Sequence, residues 1–234
     1  MKLQIRVLSL AIASLTLAAC NNPFSGKANL ESDTQKFSYA IGVDIGRSMD
    51  PIRDDIDLDA LKQGLQDVQD KAELALNDEE RKQILTTMAQ QLREKKMKEM
   101  ETKGKSAIDA GAKFLADNGK RAGVTTTASG LQIETLKAGS GAKPAATSVV
   151  TVHYKGTLTN GTVFDSSYDR GQPATFPLNQ VIPGWTEGVQ LMQIGGKYKL
   201  YIPGNLAYGP QGSGEKIGPN ETLVFEIELL KIEG

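Results

Sequence analysis

Val150-Thr151-Val152-His153-Tyr154-Lys155 alternates an apolar or aromatic side chain with a polar one. Successive side chains on an extended chain point to opposite faces, so Val150, Val152 and Tyr154 share a buried face and Thr151, His153 and Lys155 the other. The same two-residue period recurs on either side. Leu131, Ile133 and Thr135 alternate with Gln132 and Glu134, and Tyr198, Leu200 and Ile202 form a one-sided set, as do Phe225, Ile227 and Leu229. Glycine and proline punctuate the chain after Gly123, which is the rhythm of strands joined by turns. Trp185, Val189 and Met192 stand at helical spacing just after Pro183-Gly184. The pattern predicts one short helix packed against a curved antiparallel sheet, each strand burying one face.

Upstream the period is helical. Ser32 and Gln35 have capping-box spacing, followed by Phe37, Ala40, Ile41, Ile45 and Met49 at three- and four-residue steps. Pro51 ends that helix. Leu58, Leu61, Leu65 and Val68 mark a second, and Asn77 with Glu80 caps a third. No proline occurs from Asp78 to Asn118, so this helix extends roughly 60 Å at about 1.5 Å per residue, weakened locally by Gly104 and Gly111. Its charge-dense stretch from Arg93 to Lys105 reads as a solvated face or, alternatively, a binding surface. Ile84, Leu85, Met88 and Leu92 make an apolar stripe near its start. Helices this few bury little core alone, and self-association is the natural remedy. Gly42 and Gly46, four apart, would allow close helix approach. The fold class is α+β: a helical domain at 30–120, then a sheet domain at 128–234.

Lys2 and Arg6 flank the start of an uncharged, mostly apolar run from Val7 to Ala19, the pattern of a secretory leader over residues 1–19. The run is too short to cross a bilayer core of about 30 Å. Leu17-Ala18-Ala19-Cys20 resembles a bacterial lipobox, in which the cysteine is lipidated and becomes the mature N-terminus. Cys20 is the only cysteine, so an internal disulfide is impossible and lipidation accounts for it; ordinary cleavage near Ala18 and Ala19 is the alternative. One acyl chain anchors marginally and several anchor stably. Asn21 resembles an outer-membrane address, and residues 20–29 form a polar tether. The chain carries 27 basic and 28 acidic residues, and losing the leader moves its formal charge from −1 to −3, which does not suit a nucleic-acid partner.

Val152-His153-Tyr154, Val163-Phe164-Asp165-Ser166-Ser167, Val181-Ile182-Pro183-Gly184-Trp185, Ala207-Tyr208-Gly209 and Leu223-Val224-Phe225-Glu226 occur in that order. Together they resemble the FKBP-type peptidyl-prolyl cis/trans isomerases over residues 128–234. Phe37-Ser38-Tyr39-Ala40-Ile41-Gly42 and the long charged helix leading into Gly130-Leu131-Gln132 resemble the N-terminal helical dimerisation domain of the Mip-like members. The resemblance implies a pocket lined by Tyr154, Phe164, Asp165, Phe176, Val181, Ile182, Trp185, Tyr208, Ile217 and Phe225. Trp185 would be its floor, and Phe164 and Phe225 would face the prolyl ring. Tyr208 and the Ile182 N–H would donate to substrate carbonyls, and Arg170 would pair with Asp165. It further implies proline-containing polypeptide substrates, a homodimer, macrolide inhibitors as ligands, and no cofactor or metal.

That chemistry needs no nucleophile, and the sheet domain offers no triad or metal-ligand cluster. The rotational barrier of about 18–20 kcal/mol comes from amide resonance, so catalysis means favouring the twisted amide. Removing water from the carbonyl oxygen weakens the planar form, and each 1.36 kcal/mol or so of preference for the twisted one gives a factor of ten. Each aromatic taken singly could instead be plain core, although Tyr154 and Tyr208 carry hydroxyls that a dry core must satisfy. His153, on the opposite face, reads as a surface or packing residue. Ala174 and Pro177 depart from the bulkier groups of the family, and the glycine-rich loop from Gly209 to Pro219 overhangs the pocket. The alternative function is a surface-anchored chaperone or binding module, for which Met88, Met97 and Met100 would be the client face.

Overall fold

The computed structural model describes residues 28–233; the leader, Cys20 and the tether as far as residue 27 lie outside them. The boundary between two compact units falls between Ala75 and Leu76. In the first, α1 (Asp33–Met49) carries the expected capping box between Ser32 and Gln35. A 3-10 segment, Asp50–Asp55, takes Pro51 in its first turn, where a missing N–H costs nothing. Helix α2 (Leu58–Asp70) follows, capped by the Asp57 carboxylate. Neither helix buries a residue, and Phe37 and Val68 are about two-thirds exposed.

The second unit begins with α3 (Asp78–Asn118), whose Asn77–Glu80 capping box is formed and whose first turn carries Asp78, Glu79 and Glu80 against the positive end of the helix dipole. Only Gly104, Gly111 and Asn118 are buried along it. Seven-residue spacing puts all three on one face. Glycine inside a helix costs about 1 kcal/mol relative to alanine, and the contacts explain why alanine does not fit. A Cβ on Gly111 would overlap the Thr222 hydroxyl, and one on Gly104 would lie 3.0 Å from Asn220 Nδ2 and 3.2 Å from Pro219 Cβ.

The seven strands are β1 (Val124–Thr126), β2 (Gln132–Lys137), β3 (Val149–Leu158), β4 (Val163–Ser166), β5 (Ala174–Pro177), β6 (Lys197–Ile202) and β7 (Leu223–Glu233), and one helix, α4 (Pro183–Leu191), lies between β5 and β6. All pairings are antiparallel, in the order β1-β2-β6-β7-β3-β4. Strand β3 changes partner along its free edge: Val149–Val152 pair with β5, and Lys155–Thr157 with β4. That switch, with a register shift between Gly156 and Thr157, opens the sheet where β4 and β5 diverge.

The core is the one read from alternation. Val150, Val152, Leu200, Ile202, Ile227 and Leu229 are fully buried, together with Val189 and Met192. Gly184 and Gly188 let α4 lie directly on the sheet; a Cβ on Gly188 would sit 2.5 Å from Leu200 Cδ1. Two expectations need correction. On β2, Gln132 is 3% exposed although alternation put it outside, because its amide turns onto the end of α3 and donates to the Leu115 carbonyl at 2.8 Å, while Thr135, read as inward, is exposed. Strand β6 buries both faces at its end, because Tyr201 is only 3% exposed opposite Leu200 and Ile202. The C-terminal turns of α3 cover it: the Phe114 ring lies 6.0 Å from that of Tyr201, Arg121 donates to the Tyr201 hydroxyl at 2.9 Å, and that hydroxyl donates to Glu134 at 2.6 Å. Asn118 and Gln132 close the seam with a 2.8 Å hydrogen bond. His153 is a packing residue, stacked on Tyr168 with ring centroids 4.7 Å apart. Leu200→Ala is expected to cost about 2–5 kcal/mol of unfolding free energy, read as a lowered urea midpoint at unchanged slope.

Candidate active site

Five elements converge where β4 and β5 part. Tyr154 comes from β3, Phe164 and Asp165 from β4, Phe176 from β5, Trp185 from the first turn of α4, and Phe225 from β7. With Val181, Ile182, Tyr208 and Ile217 they line one cavity of about 700 Å³, a size that suits a small ligand or a peptide side chain. Trp185 is 4% exposed. Tyr154 and Phe225 meet it edge-on at centroid distances of 5.3 and 5.1 Å, and Phe176 at 5.3 Å. Phe164 in turn stands edge-on to Phe225 at 5.4 Å. Edge-to-face contacts of this kind are favourable beyond the area they bury and fix ring orientation.

The wall depends on a glycine that sequence reasoning passed over. A Cβ on Gly156 would fall 2.6 Å from the Phe164 ring and 2.8 Å from that of Phe225. Its signal was present, since a glycine inside a strand pattern often marks the close approach of another group. Gln180, which the sequence did not single out, and Ser213–Lys216, from the glycine-rich loop expected to overhang the pocket, complete the rim. Ser213 and Ile217 exchange backbone hydrogen bonds of 2.9 and 3.2 Å, pinning the loop into a small hairpin. Lys216 Nζ reaches the Phe164 carbonyl oxygen at 3.4 Å.

Three groups form the polar edge. The Tyr154 hydroxyl donates to Asp165, Arg170 pairs with the same carboxylate, and a second Arg170 nitrogen donates to the Tyr154 oxygen at 2.8 Å. Arg170 makes this pair with Asp165 from outside the cavity lining. Burial pushes the Asp165 carboxyl up, but the hydrogen bonds from Tyr154 and Arg170 and the guanidinium charge outweigh it and hold the group below the ordinary carboxylate value. The Tyr154 phenol is raised by burial and then by its bond to Asp165. Burial and then the Asp165 charge raise Tyr208 as well, so its hydroxyl stays a donor at neutral pH while 39% of the residue remains exposed.

The Ile182 carbonyl accepts from the N–H groups of Trp185 and Thr186 at 2.9 and 3.1 Å, opening α4 with Pro183 in its first turn. Its own N–H has no acceptor among the described residues. The site thus offers an apolar cup, an ionised carboxylate and two donors, Tyr208 and Ile182, at its edge. No group of three or more metal-binding side chains occurs among the described residues. A carboxyl with a lowered folded-state pKa contributes stability that is present above its unfolded value and lost as the pH falls through the folded one. Asp165→Asn should accordingly lose less stability than the parent chain between pH 5 and pH 2, measured by denaturant titration at each pH.

Residues 140–230 match the family model for the FKBP-type peptidyl-prolyl cis-trans isomerase, and residues 34–134 match the domain amino terminal to it. A probable FKBP-type peptidyl-prolyl cis-trans isomerase, FkpA, of Neisseria meningitidis is 47% identical over 204 residues, covering 86% of this chain and 75% of that protein. The outer membrane protein MIP of Legionella longbeachae is 43% identical over 205 residues, with 88% of each covered. Among solved structures, FkpA from Escherichia coli superposes with a TM-score of 0.69 at 38% identity, over 88% of this chain and 99% of that one.

Proposed function

The chain belongs to the FKBP-type peptidyl-prolyl cis-trans isomerase family, and from that premise we propose that the cavity over Trp185 is where it twists Xaa-Pro bonds of exported polypeptides. The observation that carries this reading is the union of an aromatic cup with an ionised carboxylate and two donors at one edge. The prolyl ring enters the cup between Phe164 and Phe225 with Trp185 beneath it. The carbonyl preceding proline loses water among apolar walls, which weakens amide resonance in the planar ground state. Tyr208 and the Ile182 N–H hold the flanking carbonyls, so the chain on either side of the rotating bond is fixed. Asp165, oriented by Tyr154 and Arg170, sets the local field and transfers no proton. A preference of about 5 kcal/mol for the twisted amide corresponds to an acceleration of some thousands-fold.

Tyr208→Ala and Asp165→Ala should each lower kcat/KM on an Xaa-Pro tetrapeptide by about tenfold or more, near 1.4 kcal/mol of transition-state stabilisation. Circular dichroism of each variant checks that it is folded. Full activity in both variants would refute the assignment. A macrolide of the kind that inhibits this family should compete with the peptide for the same cup.

The unburied apolar faces of α1 and α2 support a homodimer formed through residues 30–120, with the long helix leading from it to the catalytic domain. The soluble form lacking the leader and Cys20 should sediment at twice the chain mass; a monomeric mass would refute this. Cys20, in the lipobox-like Leu17-Ala18-Ala19-Cys20, is proposed as a lipid anchor holding the protein at the bacterial outer membrane, on its periplasmic side or at the cell surface. Mass spectrometry of the mature protein checks it. The exposure of Met97, at 65%, leaves room for client binding along α3, and aggregation suppression by residues 29–118 alone would mark a chaperone role beyond dimerisation.

A further inference from the structure

Pro219, Asn220 and Thr222 sit at the foot of the loop whose residues Ser213–Ile217 form the rim of the cavity. They are also the residues that Gly104 and Gly111 of α3 approach most closely. Asn220, in the left-handed region at φ 57°, donates its N–H to the Gly209 carbonyl at 2.8 Å. Gly209, itself at φ 57°, directly follows Tyr208. On its other side Asn220 is backed by Gly204, where a Cβ would overlap the Asn220 backbone. Thr222 is 4% exposed and immediately precedes β7, which carries Phe225. The turn 219–222 is therefore clamped between α3 and the 204–209 segment, with pocket residues leaving it in both directions.

From these contacts we infer that α3 is a positioning element of the isomerase pocket: Gly104 and Gly111 set where the turn 219–222 lies, and through Asn220 and Gly209 they set Tyr208 and the rim. Helix propensity alone favours alanine at both positions, so glycine there fits a requirement for close approach. The helix is also fixed farther on by Asn118 and Arg121, through bonds of 2.8 Å to Gln132 and 2.9 Å to Tyr201. An added Cβ at Gly111 consequently cannot be relieved by the helix swinging away freely, and the turn must yield. Rotating the Thr222 hydroxyl aside brings its methyl into the same space in one of the two other staggered rotamers, and in either the Thr222 Cβ stays 3.3 Å from the added Cβ. Asn220 can move its amide, so Gly104→Ala is the milder change.

The inference rests on the pocket reading given above and has its own test. Isomerisation of Xaa-Pro tetrapeptides is followed with the full-length soluble chain, separating KM from kcat and comparing small with bulky residues before proline. Gly111→Ala should raise KM, or shift the small-to-bulky ratio of kcat/KM, by about two- to tenfold, with Gly104→Ala smaller in the same direction. Adding Thr222→Ala, which removes the overlapping hydroxyl, should restore most of the parent values. Ser106→Ala, at an exposed position of α3 away from the Gly104 and Gly111 face, should leave both unchanged. If Gly111→Ala does not fold, Gly104→Ala alone decides. Unchanged KM and unchanged ratio in the folded variants, even with a lowered melting temperature, would overturn the positioning role. Failure of the pocket reading looks different: the parent chain is active but indifferent to Tyr208→Ala and Asp165→Ala.

Discussion

Everything at the site depends on keeping Trp185 buried on one side and reachable on the other. Its indole is held edge-on by Tyr154, Phe176 and Phe225, and it also lines the cavity. Two features of the sheet make that arrangement possible. Glycines on α4 let the helix lie against Leu200 and Ile202, which lowers the indole into the sheet. The change of partner along β3, from β5 to β4, leaves a gap above it rather than a continuous strand edge. Aromatic burial normally ends in a sealed core. Here the sheet geometry prevents the seal.

An apolar cup alone would bind many things weakly. Its discrimination, on the proposed reading, comes from a small polar edge whose members hold one another in place. Asp165 remains ionised because Tyr154 and Arg170 stabilise its charge against the cost of burial. Burial, and after it the Asp165 charge, raises the Tyr208 phenol, so its hydroxyl remains able to donate. None of these groups needs to exchange a proton, in keeping with a reaction in which rotation breaks no covalent bond.

The sheet was legible because alternation survives wherever one face is buried: Val150, Val152, Leu200, Ile227 and Leu229 all lie where the two-residue period put them. Helix limits were legible from Ser32–Gln35, Pro51 and Asn77–Glu80, since caps and proline act locally. The cavity-lining residues came from motif resemblance, and the cavity gathers them all, with Arg170 beside it. Contacts between distant segments were not legible. Tyr201 looked outward until α3 covered it, and Gly111 looked like a weak point in a helix until Thr222 was seen against it. Gly156 stood in plain view, but only the ring of Phe164 gives its missing side chain a meaning.

Because Trp185 is the only tryptophan in the chain, its fluorescence reports on the cavity floor without interference. The most direct measurement is a titration of that emission with a proline-containing peptide, alongside the concentration dependence of isomerisation of the same peptide. If the prolyl ring sits on Trp185 during turnover, the emission changes and half-saturates at the concentration that half-saturates the rate. An emission that stays constant while the rate saturates would place the chemistry elsewhere and contradict the account.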